Sequence, residues 1–128
     1  MAINNGKQFI NGQRVAVHAA ALESINATDY QPTGYLFSQA SIEEVDAAAQ
    51  AAEAAFVLYS QTSQEQRAGF LDEIAVEIEA LGASLQEVAS LETGLPLARL
   101  QGETGRITGQ LRLFAQLLRR GDFYGARI

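Results

Sequence analysis

The sequence predicts an α+β chain: β-ribbons over residues 1–40, then about four α-helices over residues 41–128. Three observations carry that reading. Asn11-Gly12 stands between two apolar stretches in KQFINGQRVAV, a strong hairpin signal. Ser41 with Glu44, and Ser63 with Gln66, have the spacing of capping boxes. Beyond Ser41 the apolar residues return every three or four positions, the period of a helix buried on one side.

The first hairpin turns at Asn11-Gly12. A strand near 22–25 and another at 35–38 come next, with a turn expected at Gln31-Pro32-Thr33-Gly34. Ribbons this short do not stand alone in water. The first helix follows Ser41 and sets Val45, Ala48, Ala49, Ala52, Ala55, Phe56 and Tyr59 at helical spacing. Its alanines let it lie close to a neighbour. The second opens at Ser63 and would bury Phe70, Leu71, Ile74, Ile78 and Leu81; Gly82 interrupts it, as a C-terminal glycine does. A shorter third helix aligns Leu85, Val88 and Leu91 and stops at Gly94. Pro96 suits the first turn of the fourth, which runs to about Arg120 and ends at Gly121. The tail DFYGARI reads as the start of a strand.

The fourth helix holds an anomaly. A rotation of roughly 100° per residue sets Leu100, Ile107, Leu111, Phe114 and Leu118 on one side, an ordinary core stripe. Gly102, Gly105 and Gly109 line up on the other side, with Arg106 beside them. Each glycine costs about 1 kcal/mol relative to alanine in a helix interior. Two readings fit the row: another helix or loop packs against it, or it clears room for a small molecule. Arg106 also has two: an exposed ion pair with Glu103 or another acid, or a fork for a carboxylate or phosphate.

Composition narrows the function. At 128 residues, 48% hydrophobic and 19% charged, the chain has the make-up of one soluble domain. A net charge of −6 removes any general attraction to nucleic acid or anionic membranes, so neither is expected as a partner. There is no cysteine, hence no disulfide, thiolate metal site or thiol nucleophile. His18 is the only histidine, which speaks against a metal site or a histidine-based triad; it reads as an exposed or strand-edge residue. No run approaches the ~20 apolar residues of a membrane helix. MAINNGKQFING lacks the pattern of a signal peptide, and a cytoplasmic location is expected. Without a secretion signal, the glycosylation acceptor Asn26-Ala27-Thr28 reads as chance. There is no GxGxxG after a strand, no GxxxxGK[ST] and no serine elbow. Glu43-Glu44 and Asp72-Glu73 are explained by the positive dipole end of a helix rather than by acid–base work. No catalytic constellation is visible.

FINGQRV, INATDYQPTGYLF, VDAAAQAAEAAF, LDEIAVEIE and ETGLP, in this order, resemble the N-terminal segment of the aldehyde dehydrogenase superfamily over nearly the whole chain. The ending GETGRITGQLRLFAQLLRRGDFYGARI looks most like the NADP-preferring branch that oxidises 2-oxoglutarate semialdehyde or fatty aldehydes. The resemblance implies a fragment of the α/β aldehyde dehydrogenase fold. Residues 1–40 and 41–128 would together form the N-terminal part of its cofactor-binding domain, with the catalytic domain absent. The family's cysteine nucleophile, glutamate base, oxyanion asparagine and cofactor lysine lie downstream of the matched segment. No catalytic or cofactor-binding residue therefore carries over, and the thiohemiacetal-forming step cannot occur in a chain without cysteine. NADP or NAD belongs to the full-length family and is not expected to bind this chain alone. The implied partner is the rest of an aldehyde dehydrogenase polypeptide, and bared helix faces imply self-association. In the family, the helix matching 97–120 lines the substrate tunnel, and Gly102, Glu103, Arg106 and Gln110 match its tunnel-facing positions. The resemblance thus implies that the glycines widen a channel and that Arg106 meets the distal carboxylate of an acidic aldehyde. The alternative is a stand-alone helical interaction module that binds through the Gly102, Gly105 and Gly109 face.

Overall fold

A computed structural model describes residues 6–15 and 21–125. Strands β1 (Gln8–Ile10) and β2 (Gln13–Val15) form one antiparallel ribbon, and β3 (Ala21–Ile25) and β4 (Pro32–Ser38) form a second. Helices α1 (Ile42–Tyr59), α2 (Gln64–Thr93) and α3 (Leu97–Arg120) follow, then a 3-10 turn at Asp122–Tyr124. His18 lies outside the described residues, as does the end of the tail.

Local chemistry explains these boundaries. Asn11 and Gly12 have φ of 49° and 73°, the left-handed pair that a two-residue hairpin needs. Both capping boxes form. The Ser41 N–H donates to Glu44 Oε2 at 2.9 Å and the Glu44 N–H to Ser41 Oγ at 3.1 Å. The Ser63 N–H donates to Gln66 Oε1 at 2.8 Å and the Gln66 N–H to Ser63 Oγ at 3.2 Å. Pro96 stands as the N-cap of α3, and Gly121, at φ 67°, closes it in the left-handed conformation.

Three expectations are corrected. The second ribbon turns over residues 26–31, and Pro32, Thr33 and Gly34 belong to β4. Asn26 Oδ1 accepts the Thr28 N–H at 2.8 Å and Asp29 Oδ1 the Gln31 N–H at 3.0 Å, so two side chains build the turn. Pro32, with no N–H to offer, opens the strand instead. The described part of the tail folds as a 3-10 turn over Asp122–Tyr124 rather than as a strand. Gly82 does leave helical geometry, at φ 53° and ψ −134°, but the chain resumes as helix at once. The expected second and third helices are therefore the two arms of a kinked α2.

The described residues divide into two compact units. The first holds both ribbons, α1 and Leu91–Gly94, the end of α2 and the residue after it. Within it the Ala27 N–H donates to the Leu91 carbonyl at 3.0 Å, and Ser24 Oγ donates to Glu92 at 2.6 Å. The second holds the rest of α2, and α3. There Arg119 binds Glu65 and Asp72, and Arg112 binds Glu79, so the partners descend one helix as they climb the other: the two run antiparallel. Ala68, Ala75, Leu100, Thr108 and Ala115 are buried here.

Burial differs most from expectation on the large apolar residues. On α1, Val45, Phe56 and Tyr59 are exposed; so are Phe70 and Leu81 on α2. On α3, Ile107 and Phe114 are half exposed, because the covered stripe runs through Leu100, Thr104, Thr108, Leu111, Ala115 and Leu118. No large side chain among the described residues is fully buried. The helices have the amphipathic sequence of packed elements, yet many of their large apolar side chains are uncovered among the described residues.

The Arg112–Glu79 pair gives a pH prediction. Arg112 donates to both carboxylate oxygens, at 2.6 and 2.7 Å, and holds the Glu79 carboxyl at about 2 instead of the usual 4.5, with the Thr108 hydroxyl assisting. The folded-state value is depressed, so the contribution is complete above about pH 4.5 and is lost as the pH falls towards 2. Glu79→Gln should lower the urea midpoint slightly at pH 7, since the pair is exposed. The difference should narrow at pH 3; a gap that widens on acidification contradicts the assignment.

Candidate functional site

Helix α3 carries the four residues singled out by sequence. Arg106 reaches back one turn to Glu103: Nε donates to Oε2 at 2.9 Å and Nη2 to the same oxygen at 2.5 Å. Arg99 stands 3.5 Å from the other Glu103 oxygen. The Arg106 guanidinium, then Arg99, holds the Glu103 carboxyl below the usual carboxylate range. The ion pair weighed as one reading of Arg106 is therefore present. It uses one edge of a side chain that remains 78% exposed. The Nη1 edge has no partner among the described residues and is open to an incoming carboxylate.

The glycine row faces open space. A methyl group built on Gly102, Gly105 or Gly109 would meet no atom within 4 Å. No described helix or loop packs there, so the row has no packing explanation among the described residues. Arg106 and Gln110 share an open groove of about 400 Å³ with Ile107, Leu111 and Phe114. Glu103 is joined to that groove through Arg106, and Gly102 lies one turn before it without lining it.

Sequence reasoning missed the apolar wall. Ile107 and Phe114 were assigned to the core stripe, yet they border the groove beside the arginine. The clue was Thr104, Thr108 and Ala115, whose small side chains fill the stripe that faces α2. The result is a surface with a cationic end and an apolar end, which suits a short carbon chain ending in an anion.

Other chemistry finds no home among the described residues. No group of three or more histidine, cysteine, aspartate or glutamate residues is placed to hold a metal. No helix is long and apolar enough to cross a membrane. The strands form only antiparallel ribbons, no glycine-rich turn joins a strand to a helix N-terminus, and the α3 glycines lie in a helix interior.

Comparison with known proteins places this arrangement. The model of the aldehyde dehydrogenase family matches residues 14–127. The chain is 77% identical, over its whole length, to an alpha-ketoglutaric semialdehyde dehydrogenase of Acinetobacter baylyi, of which it covers 24%. It is 44% identical over 96% of its length to alpha-ketoglutaric semialdehyde dehydrogenase 2 of Azospirillum brasilense, again covering 24%. Among solved structures, a NAD-dependent benzaldehyde dehydrogenase from Corynebacterium glutamicum superposes with a TM-score of 0.83 at 25% identity. That likeness takes in 93% of this chain and 26% of the other. The chain thus spans about a quarter of the length of the curated relatives it matches. The chain belongs to the aldehyde dehydrogenase family.

Proposed function

We propose that this chain supplies the substrate-entrance wall of an NAD(P)-dependent aldehyde dehydrogenase acting on 2-oxoglutarate semialdehyde. The observation that carries the reading is the 77% identity, over the whole chain, to a relative named for that activity. The reaction takes up one water, passes a hydride from the aldehyde carbon to the cofactor, releases two protons and leaves a carboxylate.

Within that reaction α3 binds and orients. Arg106 takes the carboxylate at the far end of the substrate through its open guanidinium edge. Ile107 and Phe114 line its carbon chain, and Gln110 offers a neutral donor or acceptor beside it. Gly102 and its neighbours keep the approach free of side chains. The catalytic residues and the cofactor site belong to the remainder of the polypeptide, a placement supported by the absence of cysteine here and by the quarter-length match. This chain alone is inactive in this reading.

The test is a chimera in which the matching quarter of the Acinetobacter baylyi enzyme is replaced by this chain. It should keep activity towards 2-oxoglutarate semialdehyde within a few-fold of the parent, while the 128-residue chain alone shows none. An assembled chimera that loses this substrate and keeps neutral aldehydes overturns the substrate assignment.

A further inference from the structure

The first turn of α1 holds a buried charge that is only half accounted for. Glu44 is 6% exposed. Its Oε2 accepts the Ser41 N–H, but its Oε1 has no hydrogen-bond partner among the described residues. A buried carboxylate oxygen without a donor is a rare and costly feature of a folded protein. The helix dipole and the capping N–H offset part of the charge, and the second oxygen is left over.

The surroundings indicate what is missing. Glu44 lines an open groove of about 610 Å³ with Ile10, Gln13, Val15, Ser41, Glu43 and Ala47. Ile10, Val15 and Ala47 offer apolar walls, and two adjacent carboxylates stand at the start of the helix. A basic side chain fits that combination: its aliphatic stem lies along the walls and its charged head reaches the acid. A neutral amide could donate to Oε1 but would leave the charge uncompensated.

We propose that this groove receives a lysine or arginine side chain from the part of the aldehyde dehydrogenase polypeptide that lies outside this chain. The inference rests on the reading of the chain as a segment of a longer enzyme. It goes beyond that reading by naming a contact, Glu44 Oε1 to a cationic nitrogen, that fastens the segment to the body.

The chimera tests it with Glu44→Gln. Glutamine keeps an acceptor for the Ser41 N–H and replaces the second acceptor and the charge with an amide NH2 donor, so the cap survives while a cation loses its partner. The half-life of thermal inactivation should fall at least about tenfold, and should do so at low and high salt alike, because a buried pair is poorly screened. Ser41→Ala reports separately on loss of the cap. In a crystal structure of the chimera, a guanidinium or ammonium nitrogen from the enzyme body should stand about 2.8 Å from Oε1. A water, a backbone N–H or a residue of a second copy in that place overturns the proposal, as does a half-life unchanged by Glu44→Gln. A chimera that is inactive and unassembled overturns the segment reading and this contact with it. An active chimera indifferent to Glu44→Gln removes the contact alone.

Discussion

Arg106→Ala in the chimera should lower kcat/KM on 2-oxoglutarate semialdehyde by about ten- to 150-fold and leave a neutral aldehyde of similar length unchanged. The size follows from the interaction. A hydrogen bond to a charged group contributes about 1.5–3 kcal/mol, and every 1.36 kcal/mol is about tenfold in rate. The selectivity follows from the geometry. Only a substrate with a carboxylate at the end away from its aldehyde can use the open edge of Arg106, since the other edge is already held by Glu103. Arg106→Lys keeps the charge but loses the planar fork, so it should fall between the two.

Glu103 supplies the internal check. It is a carboxylate on the same face, bonded to the residue that would greet an anionic substrate. If Arg106 has only a structural partnership with Glu103, then Glu103→Gln and Arg106→Ala should act alike, because either breaks the pair. If Arg106 binds substrate, Glu103→Gln should preserve or raise kcat/KM for the acidic aldehyde, by freeing the guanidinium and removing a like charge. Equal losses on acidic and neutral aldehydes, or no loss on either, would rule out the carboxylate role.

How far the sequence disclosed this architecture depended on whether a feature is local. Asn11-Gly12, the two capping boxes and Gly121 act within a few residues of themselves, and each element boundary they marked is present. The Asx turn at Asn26 and Asp29 is equally local but lost to the louder Pro-Thr-Gly signal, although a proline can as well open a strand. Burial is different, because a helix sequence tells which side is apolar and not what covers it. Ile107 and Phe114 satisfied the periodicity of a core stripe, yet α2 covers the adjoining stripe of threonine and alanine. The α3 groove was legible only in its polar half. Arg106 and Gln110 stood out beside the glycines, whereas the apolar half looked like core. Glu44 was read as a cap, which it is; that one of its oxygens lacks a donor required coordinates.

The same mismatch between apolar sequence and uncovered surface governs the chain in isolation. At micromolar concentration the 128-residue chain should scatter light as a species well above 13.8 kDa and should bind a dye that reports exposed apolar surface. The strongest drive comes from α1. Val45, Phe56, Val57 and Leu58 are each more than half exposed on a helix whose only buried residue is Glu44. Burying a side chain of this size yields about 1.5–3 kcal/mol, so pairing of two such helices offsets the entropy of association readily. Val45→Ser with Phe56→Ser, which share one side of α1, should therefore shift the chain towards monomer without disturbing the α2–α3 ion pairs, which belong to the other unit. In the chimera the same pair of substitutions should instead impair assembly, because in the proposed reading the enzyme body covers that face. A monodisperse 13.8 kDa particle that unfolds cooperatively would mean that α1 finds cover within the chain itself.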